Sequence, residues 1–137
     1  MNDAISFAIN AVLEYGAGIE ITYQRPSFQS CAVMQYNLVI INPNANAEAN
    51  LPFVILHELG HIVLNHQDLD CVSPAARIVQ EHEADRFAAE LIWDYSQRLG
   101  VDYDNAYNFM QAFGIPSKMF GTVTDLMRER ENHGCLR

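Results

Sequence analysis

The chain has 137 residues, half of them hydrophobic and 18% charged, with 17 acidic against 8 basic side chains and a net charge of −9. This composition excludes a disordered chain and predicts a single domain over residues 1–137, burying roughly two thirds of its surface. No basic stripe is present, so direct nucleic-acid binding is not expected; the acidic surplus serves solubility or suits a basic protein partner.

Asp3 is placed to cap a first helix over Ala4 to Glu14, with Ile5, Ala8, Ile9, Val12 and Leu13 in one stripe, and Gly16 and Gly18 end it. Ile19, Ile21 and Tyr23 alternate with polar neighbours, the pattern of a half-buried strand that stops before Pro26. Cys31 to Gln35 and Leu38 to Ile41 read as a hairpin about Tyr36-Asn37, closed by Asn42-Pro43-Asn44. Asn50 is a candidate cap for the next helix, Leu51 to Leu64, with Pro52 in its first turn.

After His66, a loop with Asp68, Asp70 and Cys71 leads to Ser73-Pro74, a start signal for a helix from about Ala75 to Leu99 that stops at Gly100. Asp102 or Asp104 is expected to cap a shorter helix that ends before Gly114. Ser117 opens a last helix with Met119, Phe120, Val123, Leu126 and Met127 on one side, and Arg128 to Arg137 reads as a solvated tail. Cys31, Cys71 and Cys135 are odd in number and share no metal-type spacing, which favours a reducing compartment. The start lacks the positive region of a signal peptide, and no apolar run reaches the roughly 18 residues of a membrane span, so a cytoplasmic protein without membrane contact is expected.

Leu51 to Leu64, LPFVILHELGHIVL, is apolar almost all the way round and should be a buried helix. His57 and His61, four apart, project about 40° from each other and can grip one ion, with Glu58 beside it. Two imidazoles on a metal and a carboxylate to take a proton from the attacking water are the parts of a zinc hydrolase. Such a site needs a third protein ligand. The position six residues after His61, where a metzincin would have histidine, is Gln67. His66 would lie about 140° from His61 on a continued helix, which favours a surface or supporting histidine over a ligand. The following helix offers Glu81, within a face made by Ile78, Ala84, Ala88, Leu91, Ile92 and Tyr95, whereas Glu83 lies on the opposite side. Glu81 is therefore the expected ligand. Asp85, one turn on, is placed to accept from the non-ligating nitrogen of a zinc histidine. The alternative makes Glu81 and Asp85 ion-pair partners of Arg77 or Arg86.

HELGH followed by EHEADRFAAEL, with the I-I-N-P segment before it, resembles the ImmA/IrrE family of zinc metallo-endopeptidases over about Leu38 to Ile92. The resemblance implies an α+β fold, a mostly helical zincin-like metallopeptidase domain with a small, about three-stranded sheet packed beside the active-site helix. It implies Zn2+ held by His57, His61 and Glu81, Glu58 as general base, Asp85 as supporting residue, and cleavage of a helix-turn-helix repressor of a mobile element, phage or stress response. Two departures stand out: Ile92-Trp93-Asp94 replaces a common Met-Pro, and 137 residues are expected to leave no room for a DNA-binding or sensory domain. Tyr95, Tyr36, Tyr103 and His133 are candidates to assist at the oxyanion, and Leu38 to Ile41 is either an edge strand for an extended substrate or plain sheet core. The rival function is a non-proteolytic zinc protein that sequesters its partner, and hydrolysis of a non-peptide bond uses the same ligands.

Overall fold

Residues 3–68 and 71–134 of this computed structural model are described, and among them five α-helices pack with a three-stranded sheet in a mostly helical α+β architecture. Helix α1 (Asp3–Glu14) buries Ala8, Ala11 and Val12. Asp3 lies inside its first turn, so it is not the outside cap expected of it. The helix closes with the two bonds of a Schellman motif, Ala17 N–H to Val12 O at 3.1 Å and Gly16 N–H to Leu13 O at 3.0 Å.

Strands β1 (Gly18–Ile21), β2 (Cys31–Val33) and β3 (Leu38–Ile41) form a sheet in the order β1-β3-β2, with β1 parallel and β2 antiparallel to β3. The expected hairpin is present: Ala32 faces Val39, and Asn37 turns the chain at φ 48°. Leu38 to Ile41 is the central strand rather than an edge, and the free edges belong to β1 and β2. Its alternate residues Val39 and Ile41 point into the core. β1 is shorter than its alternation suggested, and Ile21 and Tyr23 are exposed.

The early end of β1 has a physical cause in Asn42, whose side chain is fully buried and fully bonded. Its Oδ1 accepts from Gln24 N–H at 3.0 Å and Asn44 N–H at 3.2 Å, while its Nδ2 donates to Arg25 O at 2.9 Å and Phe28 O at 2.8 Å. A buried amide with four partners costs nothing for lost water and ties the 24–30 segment to the end of β3.

Helix α2 (Leu51–Val63) is the hub and touches α1, β2, β3 and helix α3 (Pro74–Arg98). Ile55, Leu56 and Leu59 are essentially inaccessible, each contributing roughly 1.5–3 kcal/mol of burial. Asn50 does not cap α2 through its side chain: the chain enters through a 3₁₀ turn, Glu48–Asn50, so Asn50 already has helical backbone angles. α3 is capped as expected, Ser73 Oγ accepting from Ala76 N–H at 3.2 Å.

Helix α4 (Ala106–Phe113) is capped by Asn105, which accepts from Asn108 N–H at 2.9 Å, and neither Asp102 nor Asp104 has that role; Asn105 is the residue with extended backbone at the helix start. Gly114, at φ 65°, ends α4 against the turn before α2, where an added Cβ would meet Ala49 O at 1.9 Å. Ser117–Met119 form a 3₁₀ turn that continues as helix α5 (Phe120–Gly134). Met119, Val123 and Leu126 are buried, but Phe120 is 53% exposed. Arg128 to Glu131 are helical rather than a loose tail, and two of their charges find complements on α3: Arg86 pairs with Glu129, and Arg130 reaches Glu90 at 3.7 Å and Asp94 at 3.8 Å, while Arg128 lies 3.8 Å from Asp125 within α5. Asp70 and Cys135 to Arg137 lie outside the described residues. No described helix is long and apolar enough to cross a membrane.

Candidate metal centre

The α2–α3 contact sets the site. Gly60 faces α3, and a Cβ there would lie 3.1 Å from Phe87 Cδ1 and 3.2 Å from Ala84 Cα. With Ala84 and Ala88 fully buried opposite, small residues let the two helices approach closely. That approach carries Glu81 to the histidines of α2.

His57 Nε2 lies 3.2 Å from His61 Nε2 and 3.1 Å from Glu81 Oε2, and His61 Nε2 lies 3.0 Å from Glu81 Oε1. His57, His61 and Glu81 are thus positioned to bind a metal ion. The fit is quantitative: ligands at 2.0–2.1 Å from a tetrahedral zinc sit about 3.3 Å apart. The donor chemistry agrees, because three atoms with lone pairs converge on one point. Without an ion, protons must separate them. Burial pulls the His57 pKa down, but contacts with Asp85 and Glu81 outweigh it and push it up to about 9. The same two histidines hold the Glu81 carboxyl far below the usual carboxylate range.

Behind the triad, His57 Nδ1 is 2.7 Å from Asp85 Oδ1, a distance typical of a charge-assisted bond, although the angle lies outside that of a hydrogen bond. Asp85 also has Lys118 at 3.7 Å. Arg86 pairs with Glu90 and Glu129, not with Glu81 or Asp85, so the ion-pair alternative finds no support from that residue. Ile78, expected on the buried face, is 70% exposed because the first turns of α3 project past their packing partners.

Glu58 shares a cleft of ≈ 170 Å³ with His57, Glu81, Asp85, Gln29, Ser30 and Lys118. Burial raises its pKa to about 7; His57 and His61 pull it down, while Glu81 and Asp85 push it up. A larger cavity of ≈ 1050 Å³ lies between α3, Tyr103–Ala106 and α5 and includes none of the triad. The tyrosines weighed for oxyanion assistance are elsewhere. Tyr95 stacks on Phe7 at 4.2 Å, Tyr103 packs on Phe109 and Phe113, and Tyr36 is exposed on the hairpin. The side chain of His133 lies outside the described residues.

His66, expected as a surface or supporting histidine, has a side chain only 7% exposed and sits beside His61. α2 does not continue to His66. The helix closes at Val63, Asn65 takes φ 58°, and His66 folds back until its Nδ1 is 2.9 Å from His61 Nδ1. Glu83, expected to be merely solvated, lies 3.0 Å from His66 Nε2. The missed signal was Asn65, a residue tolerant of left-handed angles at a helix end.

Two imidazoles and a carboxylate positioned to bind a metal, with a second glutamate, Glu58, in the same cleft, are the donor set and the acid that a metallopeptidase requires. The chain belongs to the IrrE N-terminal-like domain family, a peptidase family whose model matches residues 14–123, and that family makes it a metallopeptidase. No curated protein and no solved structure matches the chain.

Proposed function

We propose that the protein is a zinc-dependent endopeptidase, with His57, His61 and Glu81 holding the ion and Glu58 as general base. The observation that carries this reading is the convergence of two Nε2 atoms and a carboxylate within 3.0–3.2 Å of one another, beside a cleft that contains Glu58. Zinc, when bound, lowers the pKa of water and polarises the scissile carbonyl. Glu58 takes the proton of the attacking water as its oxygen bonds to the carbonyl carbon, then gives that proton to the leaving amine as the C–N bond breaks. Glu58 lines the same cleft as His57 and Glu81, which supports its part in both halves of that transfer. Asp85 holds the His57 ring, and Lys118 provides a positive charge at the cleft rim. An extended substrate adds to β2, the sheet edge next to α2.

The substrate class is a helix-turn-helix repressor, in keeping with the ImmA/IrrE resemblance, and the site of action is the cytoplasm. Co-expression with the repressor-like product of a neighbouring gene tests this, comparing wild type with Glu58→Gln. A repressor fragment seen only with wild type supports proteolysis. An intact but inactivated repressor with both proteins would establish sequestration instead.

A further inference from the structure

We propose that His66 and Glu83 form a proton-ordered relay behind His61, fixing it in the tautomer that turns Nε2 toward the metal. The proposal rests on the metal-site reading above. His61 Nδ1 is 2.9 Å from His66 Nδ1, and His66 Nε2 is 3.0 Å from Glu83 Oε1. Two ring nitrogens at that distance need one proton between them. With none, lone pairs face each other; with two, the N–H groups collide. A neutral histidine that ligates through Nε2 carries its single proton on Nδ1. His61 is therefore the donor and His66 Nδ1 the acceptor. The proton of neutral His66 is left on Nε2, where Glu83 accepts it. Every donor in the chain finds an acceptor, and the direction is set from the metal end.

The backbone builds this contact. At the end of α2, His66 N–H donates to His61 O at 3.0 Å and Asn65 N–H to Ile62 O at 3.1 Å, the two bonds of a Schellman motif, with Asn65 left-handed at φ 58°. In that motif the residue after the left-handed one commonly makes an apolar contact with the residue five back. Here the same geometry presses one imidazole against another. The His66 side chain is only 7% exposed, so water is a poor substitute for it, whereas Glu83 is 53% exposed. The two ligand histidines are thus supported by different chemistry: His57 meets a carboxylate directly at 2.7 Å, and His61 meets one through an interposed ring.

Zinc affinity by competition with a chromophoric chelator, together with imidazole 1H–15N spectra of the zinc-loaded full chain, tests the relay. His66→Leu should bind zinc roughly 10- to 100-fold more weakly, the range for lost ligand-orienting partners, and should lose the protected His61 Nδ1–H resonance. His66→Asn, whose amide oxygen can occupy the acceptor position, should return affinity to near the wild-type value. Glu83→Ala, exposed and so testable even if His66→Leu does not fold, should show a smaller loss and shifted His66 ring resonances. Glu81→Ala is the control and should bind weakest. Wild-type affinity in His66→Leu or Glu83→Ala, with Glu81→Ala weakened, would overturn the relay alone, as would His66→Asn binding as weakly as His66→Leu. Wild-type affinity in Glu81→Ala would instead overturn the metal site itself.

Discussion

Helix α3 carries acids on two sides. Glu81 and Asp85, toward α2, have histidines as their nearest partners, with Lys118 at 3.7 Å from Asp85. Glu90 and Asp94, toward α5, face Arg86 and Arg130. On the α5 side, permanent cations neutralise the acids, and side chains 30–55% exposed keep the pairs in contact with solvent. Such pairs are worth about 0–1 kcal/mol each and stitch the surface. On the α2 side, Glu81, as exposed as Glu90, meets two imidazoles only 4–12% exposed that are neutral when deprotonated, so the three donors are positioned to take a cation among them. One helix therefore uses the same residue type for adhesion on one side and, on the other, holds it in position to bind a metal. Partner chemistry, more than acid content, decides which.

The largest effect that would sharpen this contrast is on turnover. Glu58→Gln should keep the metal and lower kcat by roughly 10²- to 10⁴-fold, the usual contribution of a positioned base. Peptide cleavage at the wild-type rate in that variant would remove Glu58 from the chemistry.

A second effect concerns pH. Metal must displace the proton that His57 holds up to about 9, so apparent zinc affinity should climb about tenfold per pH unit from pH 7 to about 9. In the metal-free protein the raised pKa of His57 stabilises the fold fully below 6.5, and that contribution is lost as pH rises to about 9. Glu58, raised from 4.5 to about 7, acts in the same direction over its own window. Thermal unfolding of chelator-treated protein should therefore show Tm falling from about pH 5 to about pH 9, the span of those two windows. A rising Tm over that range would contradict these assignments.

The interface itself is tested by Gly60→Val, which inserts side-chain atoms where a Cβ already meets Phe87 and Ala84 at 3.1–3.2 Å. Overpacking of this kind costs about 1–3 kcal/mol, and chemical denaturation together with zinc titration should show both stability and metal affinity reduced. At the small end, Arg130→Ala should cost less than about 1 kcal/mol and leave zinc affinity unchanged.

Legibility in the sequence followed the same division. The spacing of His57, Glu58 and His61 and the helical wheel of α3 led to Glu81 and Asp85, because strongly periodic helices have faces that can be computed from residue number. The hairpin and the cap of α3 were legible from Asn37 and Ser73. What was not legible depended on contacts distant in sequence or on one backbone reversal. Asn42 ends β1 early through bonds to residues 14–18 positions away. β3 became central because β1 joined it in parallel from the other side. His66 escaped the wheel because Asn65 left the helix, and the charges of Arg128 to Glu131 resembled a tail until α3 supplied complements to two of them.

The central claim, that the α2 side of α3 completes a metal site and the α5 side does not, is tested most directly by the zinc content and affinity of wild type, Glu81→Ala and Glu90→Ala prepared in parallel. The account predicts one tightly held zinc per chain in wild type and in Glu90→Ala, and loss of that zinc from Glu81→Ala under mild chelation. Equal retention in Glu81→Ala and Glu90→Ala would contradict it.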